Sequence, residues 1–163
     1  MPLVLTAKNS KIRTHQKISR ELFSRFYDYL KDKNCEVYYS PFDVRLPIRE
    51  EKDEDIKNVV QPDIVVICDQ SKLDERGCKG APDLIIEIVS PSTAKQDLKD
   101  KFYLYERVGV REYWIVQSIN NTVMVFNLKE NKEYGKPDMY TEDDKIKVGI
   151  FDELIIDLKE VFR

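Results

Sequence analysis

The sequence predicts a mixed α/β (α+β) fold, a mixed β-sheet flanked by helices. Three observations carry this. Residues 15–31 place apolar side chains at helical spacing. Residues 59–68 and 84–89 are short runs of branched aliphatics, the mark of strands covered on both faces. A second helical stripe, 94–108, runs directly into a strand pattern at 111–117. The order is helix, three strands, helix, strand, then further strands, which suits a sheet with helices packed against it.

Each element has a local cause. In HQKISRELFSRFYDYLK, residues 15–31, Ile18, Leu22, Phe26 and Tyr29 form one face, and Thr14 is the expected N-cap. His15 falls on the same stripe, which favours a packed or capping histidine. Residues 36–48, EVYYSPFDVRLPI, read as a strand bent at Pro41, followed by the solvated acidic loop REEKDEDIKN. VVQPDIVVIC, residues 59–68, is the second strand, and DQSKLDERGCKGA is a polar connection with two glycines. PDLIIEIV follows, then SPST, with helix-start chemistry. In the helix 94–108, Ala94, Leu98, Lys101, Phe102, Tyr105 and Val108 share a face, and Gly109 is a natural stop. TVMVFNL and the remaining segments to FDELIIDL read as strands and turns that close the sheet. No repeat or linker interrupts the chain, so residues 1–163 are expected to form a single domain.

The bulk chemistry excludes several classes. No apolar run approaches the ~20 residues needed to span a bilayer. MPLVLTAKNSK lacks a basic region followed by an apolar one, so cytoplasmic location is expected. Cysteines at 35, 68 and 78 are odd in number and irregular in spacing, which argues against a disulfide framework or a zinc site. Cys68 is expected as a small core residue. With one histidine, any metal would be held mainly by oxygen, hence magnesium, manganese or calcium. A net charge of −3 and a pI near 5.4 do not describe a general nucleic-acid binder, although they leave room for a local basic patch.

The chemistry concentrates on two acids in apolar strands. Asp63 stands at the mouth of one strand and Glu87 at the centre of another. An ionised carboxylate there is costly unless a cation, a hydrogen-bond network or a proton compensates it. Alternation puts Asp83, Ile85, Glu87 and Val89 on one face, with Asp83 and Glu87 roughly 13 Å apart, too far to share an ion. Asp63 and Glu87 can share one if their strands are neighbours in register. Lys101, on the inward face of its helix, is the third candidate. It also has the ordinary options of reaching solvent or pairing with Asp97 four residues earlier. Glu87 has ordinary options too: hydrogen bonds from SPST, Lys101, Tyr103 or Tyr105. Asp63, after Pro62, has the option of a strand-start role. Two carboxylates and a lysine are a kit for phosphodiester hydrolysis, the acids holding a divalent cation and the lysine orienting water or stabilising charge.

HQKI at 15–18, QPDIVVI at 61–67, GAPDLIIEIVSPST at 80–93, Asp97, Lys101, Tyr105, GV at 109–110 and EYWIV at 112–116 follow in order. On these pieces the sequence resembles the Uma family of putative restriction endonucleases, within the PD-(D/E)xK nuclease superfamily. The resemblance covers most of the chain from about residue 15. It implies a restriction endonuclease-like αβββαβ core with Asp63 and Glu87 as the two acids. The usual lysine position, two residues after the second acid, is Val89 here, and the resemblance implies that Lys101 has taken that role from the following helix. Family members often carry a longer N-terminal segment with an acidic strand; that element looks shortened or absent here. Glu21 is the one acid on the first helix placed to join a site of this kind, and Gln117 stands where an aspartate commonly follows EYWIV. Asp83 belongs to the motif but is expected at a strand end.

The expected function is a divalent-metal-dependent DNA endonuclease using Mg2+ or Mn2+, with Asp63, Glu87 and Lys101 catalytic, Asp63 and Glu87 holding the metal, and water as nucleophile. The alternative is a catalytically inactive nuclease-fold module that binds nucleic acid or a protein partner. A homodimer is the commonest assembly to expect of such a protein.

Overall fold

The structure, a computed structural model, describes residues 12–163. The leader reading and the segment preceding the first helix therefore lie outside the described residues. Helix α1 (Arg13–Leu30) leads into β1 (Glu36–Tyr39), β2 (Val44–Arg45), β3 (Val59–Val60), β4 (Ile64–Ile67), β5 (Leu73–Asp74), β6 (Gly77–Lys79) and β7 (Leu84–Val89). Then come α2 (Lys95–Val108), β8 (Glu112–Gln117), β9 (Thr122–Asn127), β10 (Asp138–Tyr140), β11 (Lys145–Lys147), β12 (Ile155–Asp157) and α3 (Leu158–Phe162).

The main sheet has six strands in the order β1-β4-β7-β8-β9-β10. Only β7 and β8 are parallel, joined by the α2 crossover; the other neighbours are antiparallel. Within it, α1, β1, β4, β7, α2 and β8 form the αβββαβ core. The sheet divides two cores. Ile18, Leu22, Phe26 and Leu30 of α1 pack with Ile64, Ile86, Ile88 and Trp114 on one face. On the other face Tyr105 of α2 packs with Ile67, Ile85, Tyr113, Phe126 and Tyr134. All six residues of β7 are buried, so its lack of polar alternation has the expected cause. Tyr29, expected on the α1 stripe, is only partly buried and packs against Phe151 at 5.2 Å.

The connections differ from expectation. Residues 36–48 are two strands in different sheets, and 59–68 splits likewise into β3 and β4. A four-stranded sheet, β3-β2-β6-β5, includes β2 and β3, and the polar connection 69–81 contributes its other two strands. Its centre is Arg45, buried at 2% exposure and bound to Asp74 at 2.6 and 2.7 Å and to Asp53 at 3.2 Å. Gly77 is required there: at φ +120 a side chain would overlap the Asp43 carbonyl, which accepts the Cys78 N–H at 2.9 Å.

Neither long helix begins as expected. Ile12, not Thr14, stands at the α1 N-cap, and Ala94 at that of α2, both without a side-chain cap bond. The Ser90–Thr93 turn closes on itself instead, with Ser90 N–H donating to Thr93 Oγ1 at 3.2 Å. Gly109 does end α2 in the left-handed conformation, φ 89. The cysteine expectation also needs correction. Cys35 and Cys68 are disulfide-bonded. They flank the directly paired residues Glu36 and Ile67, so tertiary register, not sequence spacing, brings them together. Cys78 remains a free, buried thiol. Among the described residues no helix is long and apolar enough to cross a membrane.

Candidate active site

The site forms where β4 begins and β7 ends. These strands are antiparallel with Ile64 opposite Ile86, so one step back along β4 and one on along β7 sets Asp63 opposite Glu87. The neighbouring-strand pairing required of the two acids is thus the one the fold makes. The two residues are 4% and 6% exposed and line a cleft of about 670 Å³. The Ser90–Thr93 turn and the first turn of α2 form its rim.

Asp63 is tied down from two sides. Its Oδ2 accepts the Ile88 N–H at 2.7 Å, and its Oδ1 lies 3.0 Å from His15 Nε2. That contact is close but off the hydrogen-bond angle, since Nε2 meets no hydrogen-bond criterion. Glu87 Oε1 accepts from the Tyr105 hydroxyl at 2.8 Å and lies 3.5 Å from Lys101 Nζ. Both contacts converge on Oε1. Burial pushes the Glu87 carboxyl up to about 7; Lys101 pulls it back and Asp63 adds to the rise. Burial opposes charge on Lys101 too, but Glu87 and Asp97 outweigh it and hold the ammonium above the usual lysine range. Lys101 bridges both carboxylates, with Asp97 Oδ2 also at 3.5 Å, so its intrahelical pair and its inward contact coexist.

The other sequence candidates separate cleanly. Glu21 is not in the cleft: Arg25 at 3.0 Å and Arg20 at 3.3 Å hold it on the flank of α1. Asp83 takes the strand-end role, its Oδ2 accepting the Cys68 N–H at 2.7 Å. Gln117 accepts from Thr122 Oγ1 at 3.3 Å. Two further side chains take part in the site. His15, expected as packed or capping, is buried with its ring lining the cleft. Tyr105, and not Tyr103, is the tyrosine that reaches Glu87; Tyr103 is 56% exposed. The position of Tyr105 four residues after Lys101 on one helical face is the signal that separates them. Tyr105→Phe should cost about 1–2 kcal/mol of stability by urea denaturation, the usual worth of such a bond. A change below a few tenths would show that the hydroxyl does not hold Glu87.

Among the described residues no three His, Cys, Asp or Glu side chains converge closely enough to form an all-protein metal cage. Two facing carboxylates nevertheless match a hard cation that keeps waters and substrate oxygens in its shell, as magnesium does.

Comparisons with known proteins bear on the family and the fold. The model of the Uma2 family, described as "Putative restriction endonuclease", matches residues 4–159. The uncharacterized protein slr1290 of Synechocystis sp. is 24% identical over 123 residues, 75% of this chain. The chain spans 61% of that protein's length. The crystal structure of a putative nuclease belonging to DUF820 from Anabaena variabilis superposes with a TM-score of 0.73, covering 93% of this chain and 82% of that one, at 19% identity. That likeness fixes the fold.

Proposed function

Because this chain belongs to the Uma2 family of putative restriction endonucleases, we propose that it is a divalent-metal-dependent nuclease cutting DNA phosphodiester bonds. The observation that carries this reading is the facing pair Asp63 and Glu87 with Lys101 Nζ 3.5 Å from Glu87, in one cleft. Asp63 and Glu87 would hold a Mg2+ or Mn2+ ion. When bound, such an ion supplies a Lewis-acidic centre that neutralises charge on the phosphate oxygens. The chain's own residues do the rest. The Ile88 N–H fixes Asp63, with His15 in close contact beside it, and Tyr105 fixes Glu87, so the carboxylates are preorganised. Lys101 stays protonated and donates to charge gathering on the phosphate, because an ammonium has three donors and no lone pair.

The test is cleavage of plasmid DNA with Mg2+ or Mn2+, alongside metal-induced thermal shifts, for wild type and Lys101→Met. Wild type should cut in metal and not in chelator. Lys101→Met should lose roughly 10²–10³-fold in turnover, the effect of removing one charge-stabilising donor. It should keep the metal-induced shift. No cleavage by wild type under any metal overturns the nuclease reading, and equal loss of shift and turnover in the variant places Lys101 in structure.

A further inference from the structure

We propose that the groove between α1 and β1 seats an unpaired base of the nucleic-acid strand, next to the phosphate at the carboxylates. This rests on the nuclease reading and names the form of its substrate. The groove has a volume of about 500 Å³, and His15 and Asp63 line both it and the catalytic cleft. The two spaces therefore share a wall at the first carboxylate. The Ser40 N–H donates to the Asp63 carbonyl at 3.1 Å, and Tyr39 pairs with Ile64. Tyr39 thus stands one strand away from the residue beside Asp63, about the ~4.8 Å of neighbouring strands.

The lining chemistry fits a nucleotide. Tyr39 is 59% exposed, and its ring and that of Phe23 meet in a T-shaped contact at 4.8 Å and 82°, which fixes the Tyr39 plane while more than half of its surface stays exposed. An exposed aromatic ring beside a cleavage site is what a base stacks on. Arg20 at the same groove carries a side chain 71% exposed, suited to a flanking phosphate. Gln16, Ser19 and Ser40 supply donors and acceptors for a base edge. A paired, stacked base in a duplex presents neither its face nor its pairing edge, so the groove selects unpaired nucleotides. A protein partner would call for a broader apolar face than these rings beside an arginine and three small polar groups.

The test measures anisotropy of fluorescein-labelled single-stranded DNA and of a blunt duplex, using the full chain in chelator. Wild type should bind the single strand more tightly than the duplex. Tyr39→Ala should weaken single-strand binding by roughly 5- to 150-fold, the range of one base–aromatic stack, and leave duplex binding nearly unchanged. Tyr39→Phe should restore it. Single-strand affinity unmoved by Tyr39→Ala, or equal weakening on both ligands, overturns the groove assignment. Cleavage in Mn2+ is followed in parallel. Cutting by wild type with Tyr39-independent binding overturns the groove alone. Tyr39-dependent binding with no cutting overturns the nuclease reading and keeps the groove as a binding site, and absence of both overturns both.

Discussion

Glu87→Gln is expected to give a metal-blind, cleavage-dead protein that is more stable than wild type above neutral pH. The reason lies in the cost of the native carboxylate. Its folded value, about 7, exceeds the usual glutamate value of 4.5, chiefly through burial and with Asp63 adding to it. Between those two pH values the folded state binds more protons than the unfolded one. Stability from this group is therefore fully present below about 4.5 and is lost as pH rises through about 7. The integrated loss is about 3 kcal/mol. The substituted amide would keep an acceptor for Tyr105 and carry no charge, so that slope should vanish. At pH 8 in chelator the variant should melt several degrees above wild type, since ~1 kcal/mol moves a protein of this size by about 2–4 °C. Below pH 5 the two should converge. Metal nearly closes that gap: an ion at 100 times its dissociation constant adds ~2.7 kcal/mol to wild type and nothing to the variant. A manganese-induced shift surviving in Glu87→Gln would remove Glu87 from the ligand set. A variant less stable than wild type at pH 8 would mean that the carboxylate is not under strain.

The pairing behind that prediction is half legible in the sequence. An acid interrupting an apolar strand is visible as an anomaly, and both Asp63 and Glu87 announce themselves this way. Their register is not visible, because nothing local sets Ile64 against Ile86. The main-sheet strands are readable because β7, β8 and β9 run for six residues each. β2, β3 and β5 have two residues each, too few for a period of two to register, so the second sheet hides in apparent loops. Its determinant is long-range: Arg45 binding Asp74 across 29 positions. Helix starts depart from the capping rule because packing of Ile18, Leu22 and Phe26 holds α1 without a side-chain cap. His15 does lie on the stripe its spacing predicts, but periodicity says nothing of its surroundings. A side chain in the first turn can reach past the sheet to its open end.

Glu112→Ala is expected to destabilise the fold by about 3–5 kcal/mol, while leaving the chemistry per folded molecule intact. Glu112 is fully buried at 0% exposure, directly ahead of Tyr113 and Trp114 in β8. Its Oε1 accepts from Trp114 Nε1 at 2.9 Å and from the Gly149 N–H at 3.1 Å, and its Oε2 accepts from the Ile150 N–H at 2.9 Å. One carboxylate thus closes the loop after β11 onto the central sheet. Removing it strands three donors and opens a cavity. Urea denaturation should show the loss, and cleavage by the remaining folded fraction should match wild type. A cost below about 1 kcal/mol would mean that water replaces the carboxylate easily. The comparison with Glu87 separates two kinds of buried acid. Burial raises both, but three protein N–H groups already answer Glu112, so the protein alone satisfies its charge. Glu87 has one hydroxyl, an ammonium at 3.5 Å and a second carboxylate facing it across the sheet, and two facing acids of that kind are what a divalent cation neutralises.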